Sequence, residues 1–278
     1  MYQAYWGLGE SPFRANFDPR FFHQGPAQDE ALARLHFLVD ERRTLGLLLG
    51  SAGSGKSQLL DLFARQLGRV EREVALVNVA AIDLRQFLWL LATQLGVEAA
   101  GASTEFRLGR AVADHMLANR YQQIATVLLA DDADLAQADV LNQIVRLAQL
   151  DASNQSGPTI VLSAQAERLH RLGNRLVEIS DLRIDLEGWE ADDTAAFVKK
   201  ALSEAGRSTP VFSEPALRRL HELSGGIPRR VKQLADLALL AGAGDSLAQI
   251  EVDCVDSVCR ELGAVVPAAM AASRSGNR

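Results

Sequence analysis

Gly50-Ser51-Ala52-Gly53-Ser54-Gly55-Lys56-Ser57 fits G-x-x-x-x-G-K-[ST], the pattern of a phosphate-binding loop. Its flanks fit as well. Residues 44–49 (TLGLLL) form a short apolar run of the kind a buried strand shows, and residues 56–67 (KSQLLDLFARQL) carry apolar residues at helical spacing. A strand that turns through glycines into a helix aims several N–H groups and the positive helix end at one spot. A polyphosphate satisfies those donors. The pattern therefore predicts an ATP site formed by residues 50–57 with Gln58 on the same first turn. Lys56 would reach the β- and γ-phosphates, and the Ser57 hydroxyl would bind Mg²⁺.

Working outward, the chain repeats the same alternation. Strand-like runs recur at 74–79 (VALVNV), 126–129 (TVLL), 159–162 (TIVL) and 182–186 (LRIDL). Helical spacing marks 29–41, 82–95, 105–120 and 140–150, while 96–104 and 154–158 read as a loop and a turn. Apolar strands alternating with helices predict an α/β fold, a parallel sheet covered on both faces, with strand C-terminal ends along one edge. After Glu190 no strand pattern appears. Helices are expected at 190–206, 213–224, 228–241 and 251–262, the second starting on a Ser213-Glu214-Pro215 cap. The expected organisation is an α/β domain at 31–188, a small all-helical domain at 189–262 and a frayed tail at 263–278.

Residues 1–30 are aromatic and broken by prolines: Tyr2, Tyr5, Trp6, Pro12, Phe13, Phe17, Pro19, Phe21 and Phe22. No long helix suits such a segment. Its aromatics need a surface to cover, and the expectation is that it lies on the α/β domain, as packing or as a wall of the adenine pocket.

Composition narrows the classes. A chain of 278 residues can bury a substantial core, and its net charge of −6 gives no global positive field for nucleic acid. Cys254 and Cys259 have no histidine cluster beside them, which suits a reducing compartment better than a disulfide framework or a zinc site. The opening MYQAYWGLGESPF lacks the basic and apolar regions of a signal peptide, and no apolar run approaches a membrane span. A cytoplasmic protein is expected.

Four further places carry chemistry. Asp131 follows Val127-Leu128-Leu129-Ala130, an apolar strand ending in an acid as Walker B strands do. It would complete the Mg²⁺ shell with Ser57, and Asp132 would polarise the attacking water. Taken alone, Asp131-Asp132-Ala133-Asp134 also suits a solvated acidic loop. Ser163 and Gln165 close the next strand, where a polar side chain can touch the γ-phosphate or the water. Arg175 is a candidate arginine finger toward a neighbouring subunit's nucleotide. In Ser224-Gly225-Gly226-Ile227-Pro228-Arg229-Arg230, two arginines occupy a helix start, where acids are favoured. An anionic partner such as a nucleotide phosphate would resolve that conflict.

With these motifs in this order, the chain resembles the AAA+ ATPases, most closely the ExeA-type (general secretion pathway protein A) family. Tyr5-Trp6-Gly7-Leu8, Pro12-Phe13 and Asp18-Pro19-Arg20-Phe21-Phe22 are similar to that family's Y-x-x-F-G-L…P-F…D-P-x-F opening. Residues 29–32 (DEAL), 163–167 (SAQAE) and 224–230 (SGGIPRR) resemble its H-x-E-A-L, G-Q-P-E and S-G-G-I-P-R segments. The resemblance covers about residues 1–262 and implies a P-loop NTPase (AAA+) five-stranded sheet, a helical lid, sensor-1 at Gln165 and sensor-2 at Arg229. It also implies a homo-oligomer and a protein partner in secretion or assembly machinery. One departure bears on rate: the family's Walker B ends D-E, whereas here it ends Asp131-Asp132, one methylene shorter, so slow hydrolysis is expected. The same core resembles the TniB and TnsC transposition regulators. A DNA-associated switch and a non-hydrolysing nucleotide-binding scaffold are therefore the alternatives, although charge does not favour DNA.

Overall fold

The computed structural model of the chain describes residues 2–13, 23–68, 72–98, 104–150 and 157–265. They fall into two compact units: Pro26–Glu187 forms one, and Met1–Gly25 with Gly188–Arg278 the other. The chain opens with one short helix, α1 (Tyr2–Trp6), that belongs to the second unit.

In the first unit, α2 (Pro26–Asp40) leads to β1 (Leu45–Gly50) and α3 (Lys56–Gln66). β2 (Arg72–Asn78), α4 (Leu84–Gln94) and α5 (Glu105–Tyr121) follow, then β3 (Ala125–Asp131) and α6 (Ala138–Ala148). β4 (Thr159–Gln165), α7 (Asn174–Glu178) and β5 (Leu182–Asp185) complete it. The five strands form one parallel sheet in the order β2-β3-β4-β1-β5. Side chains alternate across it. Leu128, Ala130, Ile160 and Leu162 meet Phe87 and Leu91 of α4, Val112 of α5 and Ile144 of α6 on one face. Val127, Leu129 and Val161 meet Leu35 and Leu38 of α2 and Leu59 and Phe63 of α3 on the other. β1, β3 and β4 are buried on both faces and read as continuous apolar runs, whereas the edge strands β2 and β5 are partly exposed. This is the three-layer α/β fold that the sequence predicts.

Local chemistry sets several boundaries. α4 starts on a reciprocal cap: Asp83 Oδ1 accepts from the Gln86 amide at 2.7 Å, and Gln86 Oε1 accepts from the Asp83 amide at 3.1 Å. β3 runs on through Asp131, two residues past the expected apolar run. Two 3₁₀ segments, Ala133–Leu135 and Ala166–Leu172, and α7 are not foreseen, being too short for apolar periodicity to show.

The second unit contains α8 (Ala191–Glu204), α9 (Glu214–Ser224), α10 (Pro228–Gly244) and α11 (Val252–Val265) around Phe197, Leu217, Leu220, Val231, Leu239 and Val255. α9 starts as expected, with Ser213 Oγ accepting from the Ala216 amide at 3.3 Å. α11 continues through 263–265 into the expected tail. The N-terminal segment departs from expectation. Trp6, Leu8 and Phe13 enter the core of this helical unit rather than covering the α/β domain. Trp6 is 1% exposed and donates Nε1 to the Leu239 carbonyl at 2.8 Å. Gly242 makes the room, since a Cβ there would stand 3.0 Å from the indole. Residues 14–22, including Asp18–Phe22 of the opening motif, lie outside the described residues, as do 99–103 of the expected loop, 154–156 of the expected turn and 266–278 of the tail. Among the described residues, no helix is long and apolar enough to cross a membrane.

Candidate nucleotide site

β1 ends at Gly50 and the chain loops tightly before α3. Gly53 (φ 86°) and Gly55 (φ 101°) both take positive φ, which L side chains rarely adopt. The loop closes on itself through the Ser54 amide, which donates to the Ser51 carbonyl at 3.2 Å. Among the described residues, the amides of Gly53 and Gly55 in the loop, and of Lys56 and Ser57 on the first turn of α3, have no hydrogen-bond acceptor within the protein. Ser54 Oγ is buried and has no partner either. These orphaned donors fit a polyphosphate.

Lys56 opens α3 and is 7% exposed. Its Nζ donates to the Gly50 carbonyl at 2.9 Å and to the Ser51 carbonyl at 3.0 Å, so the amine lies over the loop. Burial lowers its pKa from the usual lysine value, against the opposing pull of Asp132, Asp131, Asp134 and Glu167. Ser57 is exposed and Gln58 half-buried on the same turn, with Ala52 exposed at the loop's tip.

Parallel register brings the polar strand ends to the same edge. Gln165 pairs with Gly50, and Asn78 with Asp131. Asp131 is 6% exposed and accepts a hydrogen bond from the Ser163 hydroxyl. Ser163 also accepts from the Asp132 amide at 3.0 Å. The hydroxyl expected to face phosphate or water is instead fully buried and spent on orienting the two acids. Asp132 takes the left-handed conformation (φ 56°), and its Oδ2 accepts from Asn78 Nδ2 at 2.9 Å. Asp134, 2% exposed, accepts the Gln165 amide on Oδ1 at 3.1 Å.

Two residues here escape sequence analysis: Asn78, a lone polar residue at the end of an apolar run, and Asp134, the third acid of Asp131-Asp132-Ala133-Asp134. The two arginines singled out are both exposed. Arg175 lies on α7, its Nη1 3.9 Å from Glu178 Oε2. Arg229 is on the first turn of α10 beside Arg230, with no acid on that turn, and carries no ion pair among the described residues. Among the described residues, no group of three or more His, Cys, Asp and Glu could by itself hold a metal ion.

A family model described as an AAA domain matches residues 39–172, from the end of α2 through the 3₁₀ segment that follows β4. General secretion pathway protein A of Aeromonas hydrophila is 31% identical over 248 residues, 87% of this chain. The chain carries an AAA domain of the ExeA type. It spans 45% of that relative. Solved structures share the fold at low identity. The Aeropyrum pernix ORC2 protein, solved as ADPNP–ADP complexes, has a TM-score of 0.66 at 17% identity, covering 94% of this chain and 74% of that one. Cdc6p from Pyrobaculum aerophilum gives 0.67 at 17%, covering 90% and 70%. The Holliday junction branch migration motor RuvB of Thermotoga maritima gives 0.59 at 16%, covering 90% and 73%. The AAA fold implies nucleotide binding, usually with Mg²⁺.

Proposed function

We propose that this AAA protein binds Mg-ATP and hydrolyses it slowly, using the cycle to drive assembly or rearrangement of a partner complex. The observation that carries the reading is the convergence at one sheet edge of orphaned loop amides, the Lys56 amine and the Asp131–Asp132 tip. Ser57 and Asp131 would hold Mg²⁺, which supplies positive charge against the phosphates. Lys56 contributes a second cation. Asp132 orients the attacking water, and Gln165 lies where a strand end meets the loop. Asp132 is short and already engaged by Asn78, which supports slow turnover. Arg175, from a second subunit, and Arg229 are assigned to phosphate contacts. The likeness to general secretion pathway protein A supports a partner in secretion or envelope machinery.

The test is steady-state ATPase activity with Mg²⁺, alongside binding of a fluorescent ATP analogue, for wild type, Lys56→Ala and Asp132→Asn, with and without DNA. The reading expects weak turnover in wild type, lost binding in Lys56→Ala, and retained binding without turnover in Asp132→Asn. Tight binding with no turnover in wild type would leave a switch or scaffold. Strong stimulation by DNA would replace the secretion partner with nucleic acid.

A further inference from the structure

We propose that Asp134 is a positioning residue of the hydrolytic site, fixing the main chain at Gln165; this rests on the function proposed above. The turn after β3 creates the contact. Asp132 is left-handed, and the following 3₁₀ segment Ala133–Leu135 coils back against the end of β4. There Asp134 Oδ1 takes the Gln165 amide at 3.1 Å. Gln165 is the β4 residue in register with Gly50, the first residue of the phosphate loop. One carboxylate thus joins the segment bearing Asp131 and Asp132 to the strand end beside the loop.

The carboxylate is poorly explained by packing. Asp134 is 2% exposed, and its Oδ2 is buried without a hydrogen bond. Arg168 Nη1 stands 3.7 Å from Oδ2, but its side chain is 43% exposed. Burying a charge with so incomplete a set of partners is costly, and an apolar residue would serve packing better. What the acid adds is a charge-assisted grip on one amide. With that amide fixed, the Gln165 side chain starts from a fixed point. An error of about 1 Å in such placement can cost roughly 100-fold in rate.

The experiment compares wild type, Asp134→Ala and Asp134→Asn. It uses single-turnover hydrolysis, affinity for a fluorescent ATP analogue, and hydrogen exchange at the Gln165 amide. Asparagine keeps an acceptor at Oδ1; alanine does not. Asp134→Ala should slow hydrolysis about 10- to 100-fold with affinity within about two-fold. Its Gln165 amide should exchange faster than in wild type. Asp134→Asn should recover most of the rate and the protection. Wild-type hydrolysis and exchange in Asp134→Ala would overturn the proposal, as would an asparagine variant no better than alanine in either. Should alanine fail to fold, Asp134→Ser, too short to reach the amide, takes its place with the same expectations. A wild type that binds ATP without turning it over would sink the hydrolysis reading alone. Exchange at Gln165 would then decide for Asp134: protection lost only in the alanine variant supports the grip, and uniform exchange overturns it.

Discussion

Asn78 Nδ2 donates to Asp132 Oδ2 at 2.9 Å, tying the last residue of β2 to the acid that follows β3. The amide's orientation is set from the other side, because Asn78 Oδ1 accepts from the Ala80 amide at 3.0 Å. A hydrogen bond to a carboxylate oxygen occupies that oxygen and fixes where the group points. Removing it frees Asp132 to approach a water. Asn78→Ala is therefore expected to raise basal turnover at saturating Mg-ATP by about five-fold, the equivalent of roughly 1 kcal/mol. Asn78→Asp, which sets a like charge beside Asp132, should bind ATP yet hydrolyse it more slowly. Identical turnover in all three proteins would remove Asp132 from the role of orienting the water.

Ser163 serves both acids with one hydroxyl. It donates to the buried carboxylate of Asp131 and accepts the Asp132 amide at 3.0 Å. Ser163→Ala leaves a buried charged group without its donor, a loss on the order of 1–3 kcal/mol. Expected are a lower melting temperature and a weaker dependence of ATP affinity on Mg²⁺, measured by titrating the metal at fixed nucleotide. A variant with wild-type stability and metal dependence would show that Asp131 is oriented by the strand alone.

The paired glycines before α10 have different reasons to be glycine. Gly225 (φ 63°) and Gly226 (φ 67°) both take the left-handed conformation, which costs a non-glycine residue about 1 kcal/mol. A Cβ on Gly225 would meet nothing within 4 Å, whereas on Gly226 it would stand 2.1 Å from the Trp189 carbonyl oxygen. That carbonyl belongs to a close backbone approach in which the Trp189 amide donates to the Gly226 carbonyl at 2.8 Å. Gly225→Ala should cost about 1 kcal/mol and Gly226→Ala more than about 3 kcal/mol. Chemical denaturation followed by tryptophan fluorescence checks both. Equal losses would mean that the segment around Trp189 shifts aside at little cost.

The fold was legible because its central strands β1, β3 and β4 are buried on both sides. Runs such as Thr159-Ile160-Val161-Leu162 leave little choice of element, and the glycine spacing at 50–55 fixes the turn between strand and helix. The position of the candidate site was legible where one local pattern marks it, as at Lys56 and Asp131. It was not legible where the partner is distant in sequence. Asn78 meets Asp132 across 54 positions, and Ser163 meets Asp131 across 32, through strand register that no local window contains. The destination of Trp6 was hidden for the same reason, because the space for its indole is made by Gly242.

Lys232 offers a test read by stability rather than by turnover. It lies on α10 with its Nζ 5.7 Å from the centre of the Phe197 ring. Burial lowers its pKa, with no carboxylate pulling the other way. Folding thus works against its charge. Methionine matches the length and apolar character of the stem without the desolvation cost. Lys232→Met is expected to melt about 2 °C higher than wild type at pH 7. Between the lowered folded-state pKa and the ordinary value of 10.5, the unfolded chain binds more protons than the folded one. Wild-type stability therefore rises with pH across that window, and the gap to the variant should close. Melting both proteins from pH 7 to 10 measures it. A variant less stable than wild type at pH 7 would mean that the attraction between the ammonium and the Phe197 ring outweighs the desolvation of the amine.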